Sequence, residues 1–278
     1  MMASSHVPLT ERCDALTSMG ISDFGVGFLI PFLDETEFEV AVQRARVVES
    51  FWGLPGPQRV ARAKSAGALV SWQVGSATEA RAALDAGCDI IVAQGVEAGG
   101  HVRATLPMLA VLASVLDVVD GRAVVLAAGG ISSARAMAAV LAGGADGVRV
   151  GTRFVAARKS DAHPAYRQAL VDAGGGRHTL LTTSYGQDSD WPDAPHRVLT
   201  SAYAAATAST EGERVAEWRR DGTGEAQPVG RFETAPPSRD HSGSVEAMAV
   251  YAGPSVADVT GVQGAADIVQ GLTEAPGP

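Results

Sequence analysis

Short apolar runs alternate with amphipathic stretches from residue 24 to residue 155. The runs predict six strands, at residues 24–31, 47–55, 68–74, 89–94, 123–130 and 146–154. Stretches of helical periodicity lie between them, and Gly67 and Gly87 stand where two of the predicted helices end. Because strands that alternate with helices pair in parallel through right-handed crossovers, the pattern predicts an α/β fold with a parallel sheet.

One unit of this pattern occurs twice. The stretches SATEARAALDAGCD and SSARAMAAVLAGGAD align so that Ser76 matches Ser133, Gly87 matches Gly144 and Asp89 matches Asp146. The first copy also has the spacing of a capping box, from Ser76 to Glu79. A repeated unit is typical of a (β/α) barrel, and a doubly wound sheet is the alternative. Six such units predict a TIM-barrel-like (β/α)8 fold that lacks its first two βα units.

The C-terminal part of the chain has a different pattern. Residues from about 221 to 244 are polar and rich in Gly and Pro, which predicts a flexible loop. Two apolar stretches within residues 245–275 predict a C-terminal helical segment of two closing helices. We therefore expect one domain over residues 1–278, with its core at 20–200.

Composition narrows the class of protein. The 278 residues carry a net charge of −9 and form no Lys/Arg cluster, which argues against a nucleic-acid partner. The N-terminal residues do not resemble a signal peptide, and no apolar stretch is long enough to span a membrane. Cys13 and Cys88 lack metal-site spacing. We expect a cytoplasmic protein with no metal and no membrane or nucleic-acid partner.

Three loops follow predicted strands and therefore share one edge of the sheet. They are QGVEAGGH at 94–101, AAGGISS at 127–133 and VGTRF at 150–154. Gly129 and Gly130 stand directly before a predicted helix, where free N–H groups and the absence of Cβ favour an anion, most simply a phosphate. The alternative is that these glycines only make the turns.

His101 is the candidate catalytic side chain. It follows Gly99 and Gly100 in the first of these loops, with Glu97 nearby. A neutral imidazole there suits proton removal from carbon or a hydrogen bond to an anionic substrate, and a solvated surface histidine is the alternative. The remaining histidines have no comparable setting and are interpreted as structural or surface residues: His6, His163, His178, His196 and His241.

The motifs QGVEAGGH, AAGGIS and GADGVRVGTRF, in this order and at these spacings, resemble the nitronate monooxygenase family. The resemblance runs from about residue 24 to 172, and MAVYAG near residue 248 is similar to the family's closing segment. It implies a TIM-barrel flavoprotein with non-covalent FMN. The implied reaction is oxidation of an alkyl nitronate, or a nitroalkane, with O₂ to a carbonyl compound and nitrite.

The resemblance also implies roles for individual residues. His101 matches the catalytic histidine, which would orient the nitronate or take the α-proton of a nitroalkane. Gln94 and Gly99 match positions that contact the flavin. The remaining cofactor-binding positions belong to the phosphate end of the site: Gly129, Gly130, Arg149, Val150, Gly151 and Thr152.

Several features depart from the family pattern. The N-terminal strand with Ala-Pro-Met and the next glycine-rich unit are missing, Gly27 stands where Asn is common, and Pro254 stands where Gln is usual. A six-unit barrel leaves two strand edges to be covered, for which a homo-oligomer is one solution. Two alternative functions stay open: an FMN-dependent enoyl-acyl carrier protein reductase, which shares a similar Gly-Gly-His turn, and a truncated, non-catalytic paralogue.

Overall fold

The computed structural model describes residues 7–174, 178–187, 191–210, 212–220 and 224–274. His6, residues 221–223 of the predicted flexible loop and residue 275 of the predicted closing helices lie outside the described residues. None of the helices in the described part of the chain has the length and apolar character needed to cross a membrane.

Strands and helices alternate as the apolar pattern predicts. The strands are β1 (Gly25–Leu29), β2 (Val47–Phe51), β3 (Leu69–Val74), β4 (Ile90–Gln94), β5 (Gly100–His101), β6 (Val124–Ala128), β7 (Gly147–Arg149), β8 (Thr179–Thr182), β9 (His196–Leu199), β10 (Arg214–Trp218), β11 (Gln227–Gly230) and β12 (His241–Gly243). The helices are α1 (Leu9–Ser18), α2 (Glu35–Arg44), α3 (Pro57–Ser65), α4 (Ala77–Asp85), α5 (Met108–Val119), α6 (Ala134–Ala142), α7 (Thr152–Val155), α8 (Pro164–Asp172), α9 (Thr200–Ala208) and α10 (Ala265–Thr273).

All six predicted strands pair in one sheet. Its order is β1-β2-β3-β4-β6-β7, so that neighbours in the sheet follow one another along the chain. β1 pairs with β2, β2 with β3 and β3 with β4, each in parallel. The parallel sheet with alternating helices confirms the predicted TIM-barrel-like α/β fold.

Some predicted elements differ from the structure. The strand expected over residues 146–154 ends at Arg149, because Gly151 and Thr152 begin the short helix α7. Within the predicted flexible loop, β11 and β12 both pair with β10 in a three-stranded antiparallel sheet. That sheet buries Val229 as a core residue, which the polar composition of the segment does not indicate.

Of the two predicted closing helices, only α10 is an α-helix. The first stretch forms a 3₁₀ turn over Val245–Ala247 and then runs extended. Its extended part pairs with β9, because the Leu199 amide donates to Val250 O and the Ala252 amide donates to Arg197 O. These inter-segment bonds replace the intrahelical ones that the local sequence would otherwise form.

The chain divides into two compact units. The first comprises the described residues of Met1–Gln94, Arg103–Ala127 and Gly143–Gly147. One side of its sheet is buried by the helices, as in the edge-to-face contact of Phe28 with Phe38 at 5.8 Å. The prediction of one domain over residues 1–278 stays a prediction.

The two copies of the repeated unit have the same local structure. Gly87 and Gly144 both end their helices in the left-handed region, at φ of 91° and 100°. The carboxylate of Asp89 accepts from the Val70 amide at 2.9 Å, and that of Asp146 accepts from the Val125 amide at 2.8 Å. Each aspartate therefore ties the start of its own strand to the start of a neighbouring one.

The predicted capping box of α4 forms only in part. Ser76 Oγ accepts from the Glu79 amide at 3.3 Å, as expected. The Glu79 carboxylate accepts instead from the Gly75 amide at 2.7 Å and forms an ion pair with Arg103. Arg103 lies two positions after the 94–101 loop, so this ion pair fixes the chain just beyond that loop.

The second unit comprises Gly95–Val102, Ala128–Ala142 and the described residues from Val148 onward. Among the described residues, its hydrophobic core includes the clusters that surround Leu170, Met248 and Ile268. With the exception of Gln94, all the residues implicated by the sequence in catalysis or cofactor binding lie in this unit.

Candidate active site

The turn at Gly129 and Gly130 lies against the loop that carries His101. Gly129 has φ of 102°, and a Cβ on it would lie 2.9 Å from the Ala98 amide nitrogen. Gly130 has φ of 73°, and its Cβ would lie 3.3 Å from Glu97 Cβ. Only glycine combines such a backbone with so close an approach.

The turn at Gly151 and Thr152 is joined to the same loop through Gly253. The Gly253 amide donates to Thr152 Oγ1 at 3.0 Å. On its other side, Gly253 lies so near Gly99 that a Cβ on Gly99 would be 2.5 Å from the Gly253 nitrogen. The three turns predicted to lie together therefore do so, within the second unit.

The glycines of these turns have two different explanations. Close packing of the backbone accounts for Gly99 and Gly129, in agreement with the turn-making alternative. Gly151 has φ of −109°, which other residues adopt, and a Cβ on it would meet no atom within 4 Å. Neither the backbone nor a neighbour requires glycine at 151, so its small size leaves open space beside the turn.

The turns that precede α6 and α7 each carry polar groups that suit a phosphate. Ser133 Oγ accepts from the Ala136 amide at 3.3 Å and so caps the N-terminus of α6, the helix that follows Gly130. Thr152 Oγ1 accepts from Gly253, which leaves its hydroxyl hydrogen available to donate. Backbone amides, a threonine hydroxyl and an open space beside Gly151 are the donor set and the room that a phosphate group requires. The residues present therefore fit the phosphate end of FMN.

One carboxylate lies near the same helix. Ser132 Oγ donates to Asp258 Oδ2 at 2.5 Å, and the Arg153 guanidinium donates to the backbone oxygen of Asp258 at 2.5 Å. Ser132 and Arg153 thus hold Asp258 in place, and the Ser132 hydroxyl hydrogen is used in the bond to the Asp258 carboxylate.

The remaining predicted cofactor residues differ in placement. Val150 is partly buried and packs its side chain against the cluster around Ala157 and Ile268. Arg149 ends β7 and is half-buried. Gln94 belongs to the first unit, where it is buried and its Oε1 accepts from the Arg103 amide at 3.1 Å. The roles of Gln94 and Arg149 toward a flavin stay predictions.

His101 lies in a group of aromatic rings that we call the aromatic box: His101, Trp191, His196 and Tyr251. The indole of Trp191 stacks on the imidazole, with ring centroids 4.0 Å apart and an interplanar angle of 16°. The rings of His196 and Tyr251 lie 5.2 Å and 5.6 Å from the same imidazole. The alternative of a solvated surface histidine is therefore excluded, because the ring is packed against three others.

Hydrogen bonds fix the tautomer of His196. The Tyr185 amide donates to His196 Nε2 at 3.3 Å, so Nε2 carries the lone pair. Nδ1 lies 2.8 Å from Ala194 O and donates to it. Burial lowers the pKa of His196, and the residue is a neutral, fully buried part of the core.

Electrostatics keep His101 neutral. Burial, with a smaller contribution from nearby His196, lowers the pKa of His101 from 6.5 to about 3. A protonated imidazole would lose its hydration in this apolar surrounding, which is why the neutral form is favoured. His101 is therefore present as a hydrogen-bonding imidazole and carries no charge near neutral pH.

The loop that carries His101 is held from β9. The Arg197 guanidinium donates twice to Val96 O, at 2.8 Å and 3.3 Å. Gly100 pairs with Arg197 and His101 with His196 in antiparallel register, which places the two histidines side by side.

Sequence reasoning found His101 and missed the other members of the aromatic box. Tyr251 lies within MAVYAG, so the family resemblance already contained a signal for it. Trp191 and His196 carry no motif, and His196 was interpreted as structural or surface. Their contact with His101 depends on the pairing of β5 with β9, which joins residues far apart in the chain.

The chain is similar in sequence to several known proteins. The nitronate monooxygenase family profile matches residues 30–275. A Mycobacterium tuberculosis protein named (3aS,4S,5R,7aS)-5-hydroxy-7a-methyl-1-oxo-octahydro-1H-indene-4-carboxyl-CoA dehydrogenase is 35% identical over 204 residues, covering 72% of this chain and 55% of that protein. A Neurospora crassa nitronate monooxygenase is 28% identical over 223 residues, covering 66% of this chain and 58% of that protein. The chain thus spans little more than half the length of these relatives.

Solved structures give the same fold. Nitroalkane oxidase from Streptomyces ansochromogenes superposes with a TM-score of 0.72 at 25% identity, over 95% of this chain and 83% of that chain. FabK from Thermotoga maritima superposes with a TM-score of 0.71 at 23% identity, over 97% of this chain and 81% of that chain. The match of the family profile to most of the chain confirms the resemblance inferred from the motifs: the chain belongs to the nitronate monooxygenase family.

Proposed function

We propose that the protein binds FMN non-covalently and oxidises alkyl nitronates with O₂ to a carbonyl compound and nitrite. The observation that carries this proposal is the meeting of three turns in one unit. The loop of His101 contacts the turn at Gly129 and Gly130, and reaches Thr152 through Gly253. The two turns proposed to bind the phosphate are thereby in contact with, or linked through Gly253 to, the loop that carries the uncharged imidazole.

Each part of the site has a distinct task in this proposal. The amides at Gly130 and Gly151, with the Thr152 hydroxyl, hold the phosphate of FMN. Gly99 contacts the flavin, as the family resemblance implies. Bound FMN supplies the redox chemistry, and the chain supplies position and an apolar surrounding.

Two roles are considered for His101, namely removing a proton from carbon and hydrogen bonding to an anionic substrate, and its lowered pKa favours the second. An imidazole whose pKa is lowered to about 3 is a weak base, so it is poorly suited to removing a proton from carbon. The same neutral ring can donate a hydrogen bond to the oxygen of an anionic nitronate. We therefore assign His101 to orienting the nitronate, a substrate that has already lost its α-proton.

A variant of His101 tests the proposed function. Oxygen uptake is measured with the FMN-loaded protein and ethyl nitronate, in the wild type and in His101→Asn and His101→Ala. We expect both variants to lower kcat by a factor on the order of 10²–10³. Flavin absorbance, measured in parallel, should show that they still bind FMN. If wild-type protein with bound FMN consumes no O₂ with any nitronate, the proposed reaction is wrong.

The comparisons support a second candidate. The Mycobacterium tuberculosis relative, 35% identical over 204 residues, is named as a dehydrogenase of a carboxyl-CoA substrate. An acyl-CoA compound that bleaches the bound flavin without O₂ would support this reaction. Bleaching by NADH or NADPH would support instead the enoyl reductase alternative.

A further inference from the structure

Trp191 has no role in the reaction as described so far, although it makes the closest ring contact with His101. The two rings are nearly parallel, at 16°, and their centroids are 4.0 Å apart. The indole is buried, with 6% of its surface exposed. A large aromatic side chain therefore covers one face of the candidate catalytic imidazole.

Stacking on a face has a specific consequence for an imidazole. The ring forms hydrogen bonds through its two nitrogens, in its own plane. A neighbour on the face leaves these directions open and restricts rotation of the ring about its bond to Cβ. Trp191 thus limits the directions in which His101 can donate or accept.

The other members of the aromatic box enclose the same ring. His196 from β9 and Tyr251 from the extended segment that pairs with β9 are tilted against His101, at 58° and 51°. Among the described residues, these two are the titratable side chains whose rings contact His101. Burial raises the pKa of the Tyr251 hydroxyl and lowers that of His196, so both are neutral.

We propose that Trp191 is a positioning residue, which fixes the plane of the His101 imidazole and keeps water from its face. This inference deepens the proposed function and rests on it only for the effect on turnover. The contact of the two rings is a property of the chain alone. It can be measured without flavin or substrate.

The first test follows His101 itself by NMR in the wild type. Assignment of the imidazole signals uses His101→Gln as the reference. A stacked indole at 4.0 Å should shift the carbon-bound protons of His101 upfield by ring current. Between pH 8 and pH 5 those signals should show no protonation, because the pKa of His101 is lowered to about 3. Unshifted signals, or a midpoint near 6.5 in the wild type, would overturn the proposal.

The second test removes the indole. In Trp191→Leu the His101 signals should lose their upfield shift, and the titration midpoint should move into the range between pH 5 and 6.5. Trp191→Phe, which keeps a ring, should restore much of the wild-type behaviour. Trp218→Leu is the matched control, since it removes a partly buried tryptophan that packs on the cluster around Met248. The control should leave the His101 signals unchanged.

Turnover supplies the third readout. In FMN-loaded protein, we expect Trp191→Leu to lower kcat for ethyl nitronate by about tenfold with little change in KM. A folded Trp191→Leu protein with wild-type His101 signals and wild-type kcat would refute the positioning role. If Trp191→Leu does not fold, the ring-current shift in the wild type and the Phe variant still decide the question. If no nitronate is turned over by the wild type, the NMR result stands and only the proposed function fails.

Discussion

Replacing Gly129 by Ala should destabilise the protein through the turn that contacts the His101 loop. Gly129 has φ of 102°, and its new Cβ would lie 2.9 Å from the Ala98 nitrogen and 3.3 Å from Gly95 O. The left-handed backbone costs about 1–2 kcal/mol for a residue with a Cβ. Moving backbone atoms out of the way costs about 1–3 kcal/mol more. The free energy of unfolding should therefore fall by about 2–5 kcal/mol.

Thermal unfolding followed by circular dichroism measures this effect. A loss of that size lowers the midpoint by roughly 5–15 °C in a chain of this length. Gly151→Ala is the matched control, because Gly151 has φ of −109° and open space at its Cβ position. The control should unfold within about 2 °C of the wild type. A Gly129→Ala protein that unfolds at the wild-type temperature would refute the close contact between the two loops.

Two further predictions follow from buried polar groups. Thr152→Val leaves the Gly253 amide without its acceptor and should lower the free energy of unfolding, measured in urea, by about 1–3 kcal/mol. Thr152→Ser keeps a hydroxyl and should retain most of the stability. Equal unfolding midpoints for the two variants would contradict the contact. The pKa of His101 is about 3 in the folded protein and 6.5 in the unfolded chain. As the pH falls below 6.5, only the unfolded chain binds this proton, so the free energy of unfolding decreases until about pH 3. At pH 5 this loss of stability is about 2 kcal/mol. Urea unfolding at pH 7 and at pH 5 should show that His101→Gln loses less stability than the wild type. An equal loss in both proteins would refute the burial of a neutral imidazole.

Much of the fold could be predicted from the sequence, because it depends on local patterns. Apolar runs located six strands that form one sheet, in their order along the chain. The repeated unit predicted matching positions, and Asp89 and Asp146 do make the same contact to a strand amide. Left-handed glycines such as Gly67, at φ of 89°, ended helices where expected.

The elements that could not be predicted depend on long-range pairing. The stretch from Val245 was interpreted as a helix, yet it runs extended because β9 offers it backbone partners. β11 and β12 are short, polar in part and stable only beside β10. In each case the partner strand, which local composition does not reveal, decides the conformation.

The candidate site shows the same division. Glycine turns and His101 lie in recognisable motifs at the ends of strands, so the sequence placed them at one edge. Trp191 and His196 reach His101 only through the fold of the C-terminal half. Close packing of the backbone explains Gly99 and Gly129 but does not explain Gly151, and the sequence alone could not show this difference.

Titration of the purified protein with FMN tests the central claim most directly, namely that the space beside Gly151 holds the cofactor's phosphate. Wild type and Gly151→Val are compared by flavin absorbance and by thermal unfolding without FMN. We predict one FMN bound per wild-type chain, at least tenfold weaker binding by Gly151→Val, and unfolding midpoints of the two apoproteins within about 3 °C. A wild-type protein that binds no FMN, or a Gly151→Val protein that binds it equally well, would contradict the account.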